Sequence, residues 1–444
     1  MGQTIFVPKE VDVAEARVAA SPDTVKRLSG LGFNVVVEKD AGQRSRIPDA
    51  DFVAAGASIG KSSDAGKADV VLKVRRPTDA ELKGYKSGAL VLASMDPYGN
   101  DAAVAAMARA GISAFAMEFM PRITRAQSMD VLSSQANLAG YQAVIDAAAE
   151  YDRALPMMMT AAGTVPAAKI FVMGVGVAGL QAIATARRLG GVVTATDVRP
   201  AAKEQVASLG AKFLAVEDEE FKAAETAGGY AKEMSKEYQA KQAALTADHI
   251  SKQDIVITTA LIPGRPAPKL ISAAMVASMK PGSVIVDLAV ERGGNVEGSA
   301  PGKVVTTANG VKIVGHLNVP GRVAASSSLL YAKNLYAFLE TMIDKETKAV
   351  VVNPDDELVK ATLLTHGGKV VHAAFAAAAP AAGAEPAAAK PRARTRTITP
   401  GQNRGDDPAT GPASPAKTAA AKKTAAPRKP AARKPAAPKT KGGA

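Results

Sequence analysis

The strongest chemical signal in the sequence is a glycine-rich turn between a predicted strand and a predicted helix. Glycine stands at positions 174, 176 and 179. In this pattern the first glycine permits a tight turn, the second lets the backbone approach a pyrophosphate, and the third allows the helix to pack closely on the strand. The first amides of the helix can then donate to phosphate oxygens. The turn predicts a dinucleotide site, with candidate binding residues Gly174, Val175, Gly176, Val177, Ala178 and Gly179.

An acidic residue at a suitable distance strengthens this prediction. Asp197 ends the next predicted strand, 18 residues beyond Gly179. A carboxylate there accepts hydrogen bonds from the adenosine ribose and repels a 2′-phosphate. We therefore predict NAD(H) and not NADP(H) as the bound nucleotide, and we count Val198 and Arg199 among the cofactor-binding residues. The alternative is a packing turn without a ligand, with Asp197 as a solvated strand end.

A polar segment joins the two predicted halves of the chain. It includes Arg122, Gln127, Asp130 and Ser133, shortly before and within the start of a predicted helix. Such side chains offer donors and acceptors to a nicotinamide amide or ribose at the mouth of a cleft. From the residues alone, helix capping and ion pairing between domains is the more frequent role of such a segment.

A charged, helix-forming segment at 217–248 is interrupted by the sequence Ala-Gly-Gly-Tyr at 227–230. Paired glycines beside Tyr230 predict a hinged flap that closes over a bound nucleotide. The alternative is an ordinary helical hairpin on the surface.

Other kinds of catalytic site are not indicated. The sequence has no cysteine, which excludes disulfides, thiolate metal sites and cysteine nucleophiles. The four histidines, His249, His316, His366 and His372, show no zinc-like spacing. We also find no Ser-His-Asp, P-loop or nucleophile-elbow pattern. No metal site is expected.

Short β-rich apolar runs alternate with longer segments of helical period, which is typical of βαβ units around parallel sheets. We predict an α/β fold of two Rossmann-like, doubly wound parallel-sheet domains with a cleft between them. A long helix near 323–344 and two short strands after it are expected to return to the first domain. The predicted domains are 1–125 with 322–372, an NAD(H)-binding domain at 126–321, and a tail at 373–444.

The basic charge of the chain is concentrated in that tail. The net charge is +13, of which the residues from Phe375 onward carry +11, so the folded part is nearly neutral. Ala, Pro, Lys and Arg dominate the tail, and we expect it to be a disordered, extended polycation. We expect no secretory signal and no spanning helix of this chain's own, because no apolar run reaches about 18 residues.

Several stretches together resemble one protein family. They are AMEFMPRITRAQSMD at 116–130, PMMMTAAG at 156–163, the glycine turn with QAIATA at 181–186, and AGGYAKEM at 227–234. In combination they are similar to the NAD(H)-binding component, the first portion of the alpha subunit, of proton-translocating NAD(P) transhydrogenase. This family belongs to the alanine dehydrogenase/transhydrogenase superfamily. The similarity covers about residues 1 to 372 and leaves out only the tail.

The resemblance implies a reaction and partners. The reaction is reversible hydride transfer between NAD(H) bound here and NADP(H) on a partner subunit, coupled to proton translocation by a membrane subunit. The chain is expected to be a homodimer, held peripherally at the cytoplasmic face of the inner membrane through those partners. Asp197 matches the family's adenosine-ribose acid, and Tyr230 matches the tyrosine of its mobile loop.

The resemblance also assigns the polar segment. Arg122, Gln127 and Asp130 look like the catalytic loop on the nicotinamide side, with Ser133 as a further cofactor contact. Gln127 is expected nearest the reacting ring. Hydride exchange between two nicotinamides requires no acid or base from the protein, which fits the lack of an evident catalytic histidine.

Two other functions remain open from the sequence. The same fold resembles alanine dehydrogenase, and Arg17 and Lys73 look like that family's substrate-binding cations. Such an enzyme needs an acid or base in its cleft, yet the stretch 91–97 has no histidine where the dehydrogenase has its catalytic one. The tail is a candidate for anionic lipid or nonspecific nucleic acid, because polycations bind phosphates. No specific nucleic-acid binding is expected, since the tail has no interleaved aromatic residues.

Overall fold

The first portion of the chain alternates short apolar strands with helices. The computed structural model describes residues 2–223, 234–262 and 264–376. The strands of this portion are β1 (Thr4–Val7), β2 (Asn34–Glu38), β3 (Ser58–Gly60), β4 (Val70–Arg75), β5 (Leu90–Ser94) and β6 (Ser113–Ala116). Its α-helices are α1 (Pro22–Gly30), α2 (Asp49–Ala54), α3 (Asp79–Leu82), α4 (Asp101–Arg109) and α5 (Val131–Glu150). Ser21 caps α1 by accepting the Thr24 amide at 3.2 Å, and Pro22 occupies the first helical turn, where its missing N–H costs nothing.

The second portion repeats this alternation. Its strands are β7 (Met158–Thr160), β8 (Gly163–Val165), β9 (Lys169–Met173), β10 (Val192–Thr196), β11 (Lys212–Phe213), β12 (Ile255–Thr258), β13 (Val284–Asp287), β14 (Lys303–Thr306) and β15 (Lys312–Gly315). Its helices are α6 (Val177–Arg188), α7 (Ala202–Ser208), α8 (Glu219–Lys222), α9 (Lys236–Ile250) and α10 (Ala273–Ser278). Between Pro156 and Pro166, where the sequence predicted only a loop, β7 and β8 form an antiparallel hairpin.

The last described portion follows β15. Its elements are α11 (Ala324–Thr341), α12 (Glu357–Thr362), β16 (Leu363–His366), β17 (Lys369–Val370) and α13 (Ala373–Ala376). A long helix followed by two short strands is the arrangement expected from the sequence. The predicted tail begins at 373, whereas the structure forms a short helix, α13, over its first four residues. The reason is Phe375, whose ring is 6% exposed and packs against Tyr98 and Phe119.

Two sheets organise these elements as Rossmann-like folds. In the first sheet β3, β2, β1, β4, β5 and β6 are parallel neighbours in that order, and β16 and β17 add antiparallel strands beside β6. In the second sheet the order is β11, β10, β9, β12, β13 and β15, with antiparallel β14 at the edge. In both sheets the strand order reverses beside the first strand. In open parallel sheets, ligands bind at the carboxyl ends of the strands at this point of reversal.

Each sheet is stabilised by apolar side chains on both faces. Every residue of β6, β12 and β13 is buried, which explains why these strands are continuous apolar runs and not alternating ones. The four edges of the two large sheets are short strands: β3 has three residues and β14 four, and β11 and β17 have two each. None of the helices within residues 2–223, 234–262 and 264–376 is both long and apolar enough to cross a membrane.

Helix α11 packs on the first sheet through a buried tyrosine. Tyr331 is 1% exposed, and its hydroxyl accepts the Ser94 amide proton at 3.0 Å and lies 3.1 Å from the Val74 carbonyl oxygen, to which it donates. A residue of the last portion is thereby hydrogen-bonded to the ends of β4 and β5. The domain boundaries at 125/126 and 321/322 stay a prediction.

Removing the Tyr331 hydroxyl should destabilise the fold. In Tyr331→Phe the partly buried Ser94 amide loses its acceptor, and we expect the free energy of unfolding to fall by about 1–3 kcal/mol. Urea denaturation followed by circular dichroism measures this change. The matched control is Tyr336→Phe on the same helix, whose hydroxyl bonds to Glu340 at the surface and whose loss should cost less than about 0.5 kcal/mol. Equal losses in the two variants would contradict this account.

Candidate functional site

The predicted glycine turn lies at the carboxyl end of β9, at the point where the strand order reverses. Gly174 has φ +101°, which side chains other than glycine rarely adopt, and its amide donates to the Thr196 carbonyl at 2.9 Å. A Cβ at Gly179 would lie 1.9 Å from the Gly174 carbonyl oxygen. The first and third glycines are therefore required by the backbone of the turn itself.

Gly176 differs from the other two glycines because the fold does not require it. A Cβ built there meets no atom within 4 Å, and Gly176 and Val177 are exposed. Gly176 is the N-cap of α6 and has no side chain to accept the first helical amides, which lack partners within the helix. The surface beside Gly176 can therefore receive a phosphate group close to the backbone, which is the arrangement a pyrophosphate needs.

Asp197 follows β10 and is directly bonded to the glycine turn. Its Oδ2 accepts the Val175 amide proton at 2.7 Å. The Arg199 guanidinium pairs with both carboxylate oxygens, through Nε at 2.8 Å and Nη2 at 3.0 Å. The structure thus brings together Val175, Asp197 and Arg199 from the predicted site. Val198, between the last two, is 54% exposed.

Two residues of the site were missed by sequence reasoning. Thr259, directly after β12, donates its hydroxyl to the Gly174 carbonyl at 3.1 Å. Buried Asn295 holds the next residue, accepting the Ala260 amide at 3.1 Å and donating to its carbonyl at 2.9 Å. Only the position of Thr259 in the chain could have indicated its role. It follows β12, and because β12 pairs with β9, the carboxyl end of β12 must lie beside the glycine turn.

The second predicted group of residues lies on the segment before α5. Ala126 and Met129 are buried in the core of the first sheet, whereas Arg122 and Gln127 between and beside them are exposed. A 3-10 helix, Thr124–Met129, produces this separation of faces. Its buried residues fix the segment in place, so Gln127 is presented outward from an anchored turn.

Asp130 and Ser133 are in contact with each other at the start of α5. Asp130 is the N-cap residue, and its oxygens accept the Ser133 amide at 2.9 Å and the Ser133 hydroxyl at 2.5 Å. Asn334 on α11 donates to the Ser128 carbonyl at 2.8 Å and accepts the Ser134 hydroxyl at 2.7 Å. The capping role, which the residues alone favoured, is therefore present, and it gives the segment a fixed shape.

Helix α5 connects this segment to the glycine turn. At Gly140 a Cβ would lie 2.1 Å from the Ala178 carbonyl oxygen in the first turn of α6. Asn137 also donates to Gln181 across the two helices at 3.2 Å. From Val131 to Gly140 the helix rises about 13 Å. The two groups of predicted site residues are thus held at a fixed separation by one helix.

A contact between the two domains lies near the same ends of the sheets. Asp96, after β5, forms an ion pair with Arg292, after β13. Asp96 has φ +46° and is held by Glu118, which accepts its amide proton. Burial raises the pKa of Glu118, even though amide hydrogen bonds favour its charged form. This ion pair gives the two carboxyl edges a direct polar contact.

The two cations that resemble those of alanine dehydrogenase are paired with carboxylates of this chain. Arg17 binds Glu15 through Nε and Nη2, both at 2.7 Å, and Lys73, which is fully buried, lies 2.5 Å from Glu81 and 3.4 Å from Glu10. Burial alone would raise the pKa of Glu15, but the hydrogen bonds and charge of Arg17 lower it to about 2. Both cations are therefore charge-compensated within the fold.

Three of the four histidines have hydrogen-bond partners within the fold. The His249 ring is 2.8 Å from the Thr194 hydroxyl, His366 is 2.9 Å from the Ser113 hydroxyl, and His372 is 3.2 Å from the Ala361 carbonyl. In the portion of the chain that the structure describes, no group of three or more His, Cys, Asp or Glu residues could hold a metal ion. Tyr230 and the 227–230 flap lie outside the described residues.

Comparisons with known proteins place this arrangement in a family. The model of the N-terminal domain of alanine dehydrogenase/PNT matches residues 6–139, and that of the C-terminal domain matches residues 143–373. The first portion of NAD(P) transhydrogenase subunit alpha of Rhodospirillum rubrum is 57% identical over 378 residues, which are 84% of this chain and 98% of that relative.

Solved structures agree with the sequence relatives. A crystal structure of transhydrogenase from Sinorhizobium meliloti is 69% identical, with a TM-score of 0.77, and the match covers 83% of this chain and all of that one. An L-alanine dehydrogenase structure is 26% identical, with a TM-score of 0.71, and the match covers 84% of this chain and 98% of that one. Both neighbours have the α/β fold of two Rossmann-like domains predicted from the sequence. The chain therefore belongs to the alanine dehydrogenase/PNT family and, within it, to the NAD(P) transhydrogenase alpha subunits.

Proposed function

We propose that this chain binds NAD(H) at the carboxyl end of its second sheet and exchanges hydride reversibly with NADP(H) held by a partner subunit. A membrane subunit couples this exchange to proton translocation. The observation that carries the proposal is Gly176, which is exposed and unnecessary for packing but lies where a pyrophosphate approaches the backbone.

The geometry around Gly176 fits a dinucleotide. The first amides of α6 donate to phosphate oxygens, and Val177 and Ala178 continue the same surface. Asp197 is anchored to the turn through the Val175 amide at 2.7 Å, so its carboxylate is at the correct side for the adenosine ribose. An acidic residue at this position is typical of sites that select NAD(H) over NADP(H).

The nicotinamide end is assigned to the segment before α5. Arg122 and Gln127 are exposed there and can contact the carboxamide and the partner's surface. Asp130 and Ser133 form the cap beneath them, and their contribution is to fix the turn and to offer their remaining acceptor directions to the nicotinamide ribose. Because α5 is packed on α6 at Gly140, this segment keeps its distance from the phosphate-binding turn.

The chemistry requires positioning more than proton transfer. Bound NAD(H) supplies the hydride and accepts it back. The protein's residues orient the nucleotide and exclude water from the contact with the partner, and holding reactants in place can account for a large part of the rate. The rings of His249, His366 and His372 are each hydrogen-bonded within the fold. This supports a reaction in which the protein positions the nucleotide and no histidine acts as an acid or base.

We also propose that two copies of this chain associate through the hairpin β7–β8. Met157, Met158 and Met159 are 62%, 43% and 78% exposed, and within the described residues the two strands pair only with each other. An isolated two-stranded hairpin is marginally stable in water, so apolar cover from a second copy explains its order. The dimer would lie at the cytoplasmic face of the inner membrane, attached through its membrane and NADP(H)-binding partners.

The proposed binding is tested by titrating NADH and NADPH into the purified chain and following nucleotide fluorescence, which is convenient because the protein has no tryptophan. We expect NADH to bind and NADPH to bind much more weakly. In Gly176→Ala the added methyl group should leave the stability of the fold unchanged. It should weaken NADH binding about tenfold to hundredfold, because an overpacked contact with the phosphate costs about 1–3 kcal/mol.

The matched control for this variant is Gly30→Ala, at a glycine on α1 where a Cβ also meets nothing within 4 Å. It should leave NADH affinity unchanged. NADH binding that survives Gly176→Ala intact would refute the assigned phosphate site. Oxidation of L-alanine with NAD⁺ by the chain alone would favour the alternative, a soluble alanine dehydrogenase-like enzyme.

Hydride transfer should depend on Gln127 and on the partner. With the NADP(H)-binding subunit added, we expect transfer from NADH, and in Gln127→Asn a rate lower by about tenfold to hundredfold, since a displacement of about 1 Å can cost this much. NADH affinity should change by less than about threefold, because binding depends mainly on the glycine turn. Single-turnover kinetics measures both quantities. Exposed Gln205→Asn is the control, and an equal loss there would contradict the assignment.

Association through the hairpin is tested with Met159→Asp. A carboxylate at the centre of an apolar interface is unfavourable, and we expect the dissociation constant of the dimer to rise by at least about tenfold. Analytical ultracentrifugation measures it. Val13→Asp, at a residue that is 91% exposed and outside the hairpin, should leave the dimer intact. A monomeric wild-type chain at micromolar concentration, or a dimer unaffected by Met159→Asp, would exclude this interface.

A further inference from the structure

The carboxylate of Asp197 is surrounded by donors of the protein. Its Oδ1 accepts the Arg199 amide at 2.9 Å and Arg199 Nε at 2.8 Å. Its Oδ2 accepts the Val175 amide at 2.7 Å and Arg199 Nη2 at 3.0 Å. An ionised carboxylate offers about four acceptor directions, and these four bonds use them all. Three of the four donors belong to Arg199.

Arg199 is at the same time bound to the glycine turn. Its Nη2 lies 3.1 Å from the Val175 carbonyl oxygen, so the guanidinium bridges Asp197 and the turn. The Asp197 side chain is 7% exposed and that of Arg199 is 31% exposed. The cation is thus held at the edge of the adenosine end of the site, with part of its surface open to solvent.

We propose that Arg199 is a specificity-determining residue and that Asp197 acts by holding its guanidinium away from a 2′-phosphate. This inference rests on the proposed NAD(H) site. An arginine beside the adenosine ribose is the group that accommodates a 2′-phosphate in NADP(H)-binding sites, because its planar fork matches phosphate as well as carboxylate. Here the guanidinium of Arg199 is hydrogen-bonded to the carboxylate of Asp197, two residues earlier in the chain.

A simpler account attributes the selection to the negative charge of Asp197 alone. In that account, removing the charge relieves the repulsion of a 2′-phosphate whatever residue stands at 199. If Arg199 is the group being withheld, removing the charge improves NADPH binding only while the arginine is present. The two accounts therefore differ in what a double variant does.

Asp197→Asn is the suitable variant for releasing the arginine. Its amide oxygen can still accept the Val175 proton, so the bond to the glycine turn is kept and the side-chain volume is unchanged. Its NH₂ group faces the donors of Arg199, and two donors cannot pair. The guanidinium can then leave the position it holds beside the carboxylate.

The experiment measures NADH and NADPH dissociation constants for the wild-type chain, Asp197→Asn, Arg199→Ala and the double variant. We expect Asp197→Asn to bind NADPH at least about tenfold more tightly than wild type. This factor corresponds to the weakest typical contribution of a hydrogen bond to a charged group. The double variant should lose this gain. The control for net charge combines Asp197→Asn with Arg188→Ala, at an exposed arginine at the far end of α6. This control variant should keep the gain in NADPH affinity.

Several results would overturn the inference. One is a double variant that binds NADPH as tightly as Asp197→Asn; another is a folded Asp197→Asn that shows no gain. Should Asp197→Asn not fold, Asp197→Ser replaces it in the single and double variants, because it also removes the charge that holds Arg199. A gain in NADPH affinity that is unchanged when Arg199→Ala is added would then exclude the role. A wild-type chain that binds no NADH would instead disprove the site itself.

Discussion

The close approach of α5 to the start of α6 is the constraint on which the candidate site depends. At Gly140 a methyl group would collide with the Ala178 carbonyl oxygen at 2.1 Å, so only glycine lets the two helices meet. Helix α5 begins at the capped turn that follows Gln127, and α6 begins at the glycine turn. A displacement of one helix is therefore transmitted to both groups of candidate site residues, although they are far apart in the sequence.

The sequence predicted those elements of the site that are local in the chain. The glycine turn and Asp197 are recognisable because β9, α6 and β10 follow one another directly, and the two Rossmann-like domains follow from the alternation of strands and helices. Thr259 and Asn295 could not be found in this way, since they reach the turn only through the pairing of β12 with β9. The ion pair of Asp197 with Arg199 was missed for another reason: a pattern of residue types does not say which donor a carboxylate has taken.

The hairpin β7–β8 and the short helix α13 could not be predicted from local sequence either. Three methionines between two prolines have no alternation that would indicate a strand, yet Met158–Thr160 pairs with Gly163–Val165 across a turn at 161–162. Likewise, Phe375 sits among alanines that indicate disorder, yet one aromatic side chain with Tyr98 and Phe119 beside it is sufficient to order a short helix. At Phe375 a few apolar contacts outweigh local composition.

Charged side chains in the interior of the first domain are paired with each other, whereas the polar side chains of the segment before α5 face solvent. Glu15 with Arg17, and Lys73 with Glu10 and Glu81, form compensated groups, because an unpaired charge in such surroundings would be costly. Arg17 and Lys73, which resemble substrate-binding cations of alanine dehydrogenase, are thus integrated into the fold of this chain. Arg122 and Gln127, by contrast, are exposed, where a second protein can reach them.

The short outer strands have a consequence for how the protein behaves at high concentration. Long, unpaired strand edges are templates for intermolecular pairing and amyloid-like growth. In the described portion of this chain the outermost strands have two to four residues, and Lys303 and Lys369 stand exposed on two of them. Although 47% of the residues are hydrophobic, the two large sheets of the described portion therefore leave few backbone groups open to a neighbouring molecule. Contacts between copies on these sheets depend on side chains, whose identity can be selected one residue at a time.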